Sequence, residues 1–78
     1  MAEIKAPAPG TFYHRPSPEE EPFKSEGDSV AKGDVIGLVE VMKTFVEVKS
    51  EADGTFEGYE TDNEAAVKAG AVLARISD

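Results

Sequence analysis

The chain has 78 residues, 16 acidic and 8 basic, for a formal net charge of −8. That length allows one domain near the lower limit for a self-sufficient core; the absence of cysteine excludes disulfide staples and thiolate chemistry, and a single histidine argues against a histidine-based metal site. The acidic balance argues against nucleic acid, whose phosphates would repel it, no apolar run is long enough to span a membrane, and with no signal peptide visible a cytoplasmic location is expected.

In chain order, short runs of β-formers alternate with turn residues. AEIKA at 2–6 and GTFYH at 10–14 come first. A segment at about 13–25 has no strand alternation. There Pro16, Pro18 and Pro22 fix φ, and Glu19-Glu20-Glu21 reads as a solvated charge run. DVIGLVEV at 34–41 and TFVEVKS at 44–50 follow, then GTFEGYE at 54–60 and AVLARIS at 71–77. Gly27, Gly33, Gly54 and Gly70 mark turns between them. Residues 63–73 are broken by Gly70 and lack a 3.6-residue period, so no helix is expected. The pattern is that of an all-β sandwich or barrel.

One run breaks its own rules. From Val35 to Val48 lie 14 residues of almost unbroken β-formers, well beyond the usual ~5–6 of a strand. The chain must reverse inside it, yet Gly, Pro and Asn are absent between Gly37 and Gly54. A two-residue reversal at Met42-Lys43 would pair the flanking segments as a hairpin. Val46 and Val48 then face the core, and Glu47 and Lys49 face water. Such a turn requires φ > 0 at both central residues, which non-glycine residues adopt at about 1 kcal/mol or more each. Something other than turn stability has selected Met42 and Lys43.

The chain also repeats. Gly10-Thr11-Phe12 recurs 44 positions later as Gly54-Thr55-Phe56. Val30, Gly33, Val35, Ile36 and Val39 recur 37 positions later as Val67, Gly70, Val72, Leu73 and Ile76. Two copies imply a pseudo-twofold, two-sheet fold rather than a solenoid. Phe12 and Phe56 are then core residues. The seven-residue difference between the offsets is a protrusion carried by the first half alone, within 13–25. Met42-Lys43 falls where one half hands over to the other.

Glu40-Val41-Met42-Lys43 resembles the E-A-M-K-M motif of biotinyl (biotin carboxyl carrier) domains. The resemblance extends from Ile4 to Ile76 and includes the opening A-P-x-P-G-T-F of Ala6 to Phe12, Glu26-Gly27-Asp28 and Lys32-Gly33-Asp34. It implies a flattened β-barrel, or hammerhead, of two quasi-symmetric four-stranded sheets, with the whole chain, 1–78, forming one carrier domain. It implies that Lys43 carries covalent biotin, attached by a biotin protein ligase that reads Met42, Glu40, Val41 and Thr44. The insertion resembles the thumb of acetyl-CoA carboxylase carriers. Tyr13, His14, Arg15, Pro16, Ser17 and Pro18 would form it, packing near the biotin ring. His14 and Arg15 otherwise read as surface residues.

The partners implied are biotin carboxylase and carboxyltransferase subunits. The first places a carboxyl group on the ureido nitrogen using ATP and bicarbonate, and the second passes it to an enolate-like acceptor in fatty acid biosynthesis. No catalytic residues are expected in the chain itself. Two departures from the family pattern, Val41 for the usual Ala and Thr44 for the usual Met, bear on ligase recognition. Two alternatives stand beside this reading: a lipoyl carrier of a 2-oxo-acid dehydrogenase, whose motif typically has Asp before the lysine, and an unmodified hammerhead serving as an interaction module.

Overall fold

A computed structural model describes residues 2–17 and 19–77. Eight strands appear: β1 (Ala2–Lys5), β2 (Gly10–Tyr13), β3 (Ser29–Val30), β4 (Val35–Val41), β5 (Thr44–Lys49), β6 (Gly54–Tyr59), β7 (Ala65–Val67) and β8 (Val72–Ser77). They form two antiparallel four-stranded sheets, ordered β1-β8-β6-β3 and β5-β4-β2-β7. The molecule is flattened, with extents of 34 × 27 × 19 Å.

The repeat maps one sheet onto the other. Shifting each strand by its repeat offset turns β1, β8, β6 and β3 into β5, β4, β2 and β7, the order of the second sheet. The six largest fully buried side chains are three repeat pairs: Phe12 with Phe56, Ile36 with Leu73, and Val39 with Ile76. Backbone bonds repeat too. Ser50 N–H donates to Asp34 O at 2.8 Å, and its counterpart Ala6 N–H donates to Ala71 O at 2.8 Å. Ser50 is the one buried polar residue among those described, and its hydroxyl donates to Ala52 O at 2.7 Å.

The recurring glycine of the GTF triplet has a steric cause. A Cβ on Gly10 would overlap the Glu40 carbonyl oxygen, and one on Gly54 would overlap that of Ser77, the repeat-related atom. Each glycine lets its strand lie close against the carbonyl of the neighbouring one.

Two strands, β3 and β7, are not among the β runs read locally, although the resemblance implied four strands in each sheet. At two and three residues they are too short to show alternation, and their partners β6 and β2 lie far away in sequence. The protrusion begins one residue later than expected. Tyr13 belongs to β2, paired with Leu38, so the segment leaving the sheet starts at His14.

Candidate functional site

The reversal in the long β run lies at Met42-Lys43. Val41 and Thr44 are the last cross-strand pair of the β4–β5 hairpin. Met42 has φ 48° and Lys43 φ 68°, both in the left-handed region. Positive φ at both central residues is the signature of a type I′ turn, normally filled by Asn-Gly or Gly-Gly. Methionine and lysine there cost about 1–2 kcal/mol each. The paired strands hold that geometry in place and the amine stands clear of the sheet. Lys43 is exposed, and Met42 is 94% exposed. Among the described residues no hydrogen bond or ion pair holds the Lys43 amine.

Beneath the tip, the outer face of the second sheet is ordered by Glu40. It lies opposite Phe45 on β5 and Thr11 on β2. Tyr13 donates its O–H to Glu40 Oε1 at 3.0 Å, and that bond is the main cause holding the Tyr13 phenol above its ordinary range. The carboxylate oriented by Tyr13 is therefore already engaged. Phe45, 56% exposed, sets its ring 6.0 Å from that of Tyr13. Sequence reading passed over Phe45. The available signal was a large apolar side chain directly across the hairpin from Glu40, on the strand's wet face.

The segment leaving β2 is fastened by His14. Its ring stacks on Tyr59 at 3.7 Å and 10°. Nε2–H donates to Thr61 O at 2.6 Å, the backbone N–H donates to Asn63 Oδ1 at 2.7 Å, and the carbonyl accepts from Phe23 N–H at 2.8 Å. Tyr59 in turn donates its O–H to Ile36 O at 2.7 Å. Burial pushes the Tyr59 phenol up to about 12. His14 is thus a half-buried fastener rather than a plain surface residue; its partners Tyr59, Thr61 and Asn63 lie 45 to 49 positions away, out of reach of local sequence reading. Lys24 ties the returning leg to Asp34 Oδ2 at 3.3 Å and Ser29 O at 3.0 Å.

These contacts leave a cavity of about 260 Å³ next to the hairpin, lined by Tyr13, Arg15, Pro16, Ser17, Phe45, Asn63 and Glu64. The structure thus brings Tyr13, Arg15, Pro16 and Ser17 together with the second residue after Lys43. Pro18 lies outside the described residues. Arg15 is half-buried, and its Nε is buried without a hydrogen-bond partner among the described residues. A buried donor left unpaired costs about 1–3 kcal/mol. Glu64 has φ 66°. Its N–H donates to Phe12 O at 2.7 Å, as its repeat counterpart Gly27 does to Phe56 O at 2.8 Å. Among the described residues no cluster of His, Cys, Asp and Glu could hold a metal ion.

An exposed amine on a rigid turn, beside a cleft, can accept an acyl group. Residues 2–76 match a family described as biotin-requiring enzyme, biotin/lipoyl type. Among curated proteins, the biotin carboxyl carrier protein of acetyl-CoA carboxylase 1, chloroplastic, of Arabidopsis thaliana is 48% identical over 55 residues, 70% of this chain and 20% of its own. The biotin carboxyl carrier protein of acetyl-CoA carboxylase of Chlamydia trachomatis is 41% identical over 73 residues, 94% of this chain and 44% of its own. The protein of the same name from Pseudomonas aeruginosa is 38% identical over 60 residues, 77% and 38%. The chain thus matches a fifth to just under half of the length of these relatives.

Proposed function

The chain belongs to the family of biotin-requiring enzymes, and on that premise we propose that it is a biotin carboxyl carrier whose cofactor is attached to Lys43. The carrying observation is the type I′ turn that costs stability yet presents a single exposed lysine at its tip. Function, not the fold's own economy, explains Met42 and Lys43 where Asn-Gly would be easier.

When bound, biotin supplies a ureido nitrogen that takes up and gives back a carboxyl group. The chain's own residues supply attachment and placement. Lys43 Nζ, once a ligase has removed its proton, attacks the carbonyl of biotinyl-adenylate; the acyl–phosphate bond breaks, AMP leaves, and an amide remains. Met42 stands beside it as an apolar contact for the ligase, with Glu40, Val41 and Thr44 framing the approach. The rigid hairpin fixes where the arm begins, and tethering keeps its head at high effective concentration around the partner sites. The segment from His14 onward forms the wall against which the arm rests.

The partners in this reading are a biotin protein ligase, then the biotin carboxylase and carboxyltransferase of an acetyl-CoA carboxylase, in the cytoplasm. The chain is their non-catalytic carrier in fatty acid biosynthesis. The names of the relatives support this choice, as does Met42 where a lipoyl motif has Asp.

Intact mass spectrometry after incubation with biotin, ATP and a biotin protein ligase tests the reading. One biotinyl increment is expected, mapped to Lys43, and none for Lys43→Arg, which keeps the charge but lacks the acylatable amine. Biotin on Lys24 or Lys49, or lipoyl transfer to Lys43 in its place, would refute it.

A further inference from the structure

The two halves follow one plan but are finished differently on their outer faces. In the second sheet, Thr11 and Tyr13 of β2 share that face with Leu38 and Glu40 of β4 and Phe45 of β5. The repeat places Glu57 where Tyr13 stands, Arg75 where Leu38 stands and Ser77 where Glu40 stands. Arg75 is tied to Glu3 at 3.2 Å and to Glu60 at 3.0 Å, so the first sheet shows water a paired-charge surface. The second sheet instead shows the Phe45 and Tyr13 rings, 6.0 Å apart across β4. Between them Glu40 is held at Oε1 by the Tyr13 hydroxyl. Equivalent strands accept polar residues on this face, so the fold does not demand the aromatic pair. The half that carries it is the one whose hairpin bears Lys43.

Phe45 lies two residues from Lys43 and Glu40 three. Acylation brings Lys43 Nζ into the ligase's active centre, so the ligase covers the surface next to the tip. The inner face of the hairpin is closed, with Val39 and Val48 buried in the core. The outer face is left for that contact. The later partners act on the far end of a long arm and reach it without touching this patch.

We infer that Tyr13 is a positioning residue for the acylation of Lys43: it fixes Glu40, beside Phe45, as a preset patch on which the ligase docks. The inference deepens the carrier reading of Lys43 and rests on it.

The ligase surface that fits this patch has a cation opposite Glu40 and an apolar area for Phe45. Glu40 Oε2 makes no hydrogen bond or ion pair among the described residues, so it is open to such a cation. A free glutamate gives up rotamer freedom when it is bound; one already held by Tyr13 does not. Tyr13 therefore acts on binding, and its effect falls on KM rather than kcat. The bond to Glu40 holds the Tyr13 phenol above its ordinary range, which keeps the hydroxyl a donor at neutral pH. The net charge of −8 steers the whole chain towards a cationic face.

Steady-state biotinylation of the 78-residue chain by a biotin protein ligase, with the chain as varied substrate, tests this. Tyr13→Phe keeps the ring and loses the hydroxyl. Its KM is expected to rise about 3- to 10-fold, with kcat changed by less than about 2-fold. In a Glu40→Ala background the same change should add nothing, because Tyr13 acts through Glu40. Phe45→Thr should raise KM by a similar factor, and Glu57→Gln on the other sheet should leave it unchanged. A second readout leaves the patch intact. In the Lys43→Arg chain, which cannot be acylated, ligase loaded with biotinyl-adenylate should shift the amide signals of Thr11 and Phe45 and spare those of Thr55 and Glu57. Equal KM in wild type and a folded Tyr13→Phe overturns the inference. So does a Tyr13→Phe effect of the same size with and without Glu40, or ligase-induced shifts on Thr55 and Glu57 in place of Thr11 and Phe45. A wild-type chain that takes up no biotin fails earlier, at the mass spectrum, and overturns the carrier reading instead.

Discussion

At the scale of single residues, the tip separates stability from recognition. Met42 is almost wholly exposed and makes no core contact. Its replacement by Asp, a residue better suited to positive φ, should leave the melting temperature within the spread of about ±0.5 kcal/mol expected of surface changes. The rate of biotinylation should fall, because the contact proposed between Met42 and the ligase would be gone. Thermal melts and ligase kinetics on the same samples check this. A collapse of both together would make Met42 a structural residue. The reversal at Met42-Lys43 was legible because a 14-residue β run cannot stay one strand in so small a chain. Phe45 was not legible, because exposure of an apolar residue depends on what lies across the sheet. The burial of Arg15 Nε was not legible for the same kind of reason, since it is a property of packing.

At the scale of elements, the segment between β2 and β3 divides into a fastened base and an outer loop. His14, Phe23 and Lys24 belong to the base, tied to Tyr59, Thr61, Asn63 and Asp34. Deleting the seven residues 16–22, with a short glycine-containing bridge, spares those ties. The barrel should fold and accept biotin at an unchanged rate, with only a modest shift in melting temperature. Extending the cut to His14 should destabilise the fold markedly, because the Tyr59 stack and four hydrogen bonds go with it. Comparing the two deletions by thermal melting checks the division.

Tyr59 adds a pH signature to the same base. Its phenol titrates near 12 in the folded chain and near 10 when free. The neutral form is therefore favoured by folding, and the associated stability is whole below pH 10 and lost as pH climbs towards 12. Urea unfolding measured between pH 8 and 12 should show that decline. Tyr59→Phe should flatten it, at the cost of the O–H bond to Ile36 O, about 1 kcal/mol at neutral pH.

At the scale of the whole molecule, the repeat carried most of the information. Phe12 and Phe56 were assigned to the core from their recurrence, and they are its largest fully buried members. The strands β3 and β7 escaped notice although Val30 and Val67, which anchor them, were matched by the same repeat. Two or three residues cannot display a period, and the pairing that makes them strands comes from distant partners.

The matching of the halves has a topological consequence. β4 passes through its turn into β5, and the repeat equivalent of that passage runs from β8 to β1. There Ala2 is paired to Ile76 as Val46 is to Val39. Ala2 and Ile76 also line a cavity with Lys49, Ser50 and Ala52, beyond the end of β5 remote from Lys43. The β4–β5 corner and the β8–β1 corner are thus related by the repeat. A circular permutant that joins Ser77 to Ala2 through an Asn-Gly turn, and opens the chain between Met42 and Lys43, should fold to the same two sheets. Its amide spectrum should match the parent everywhere except at the two corners, while Lys43, now the first residue, would offer a ligase no turn to read.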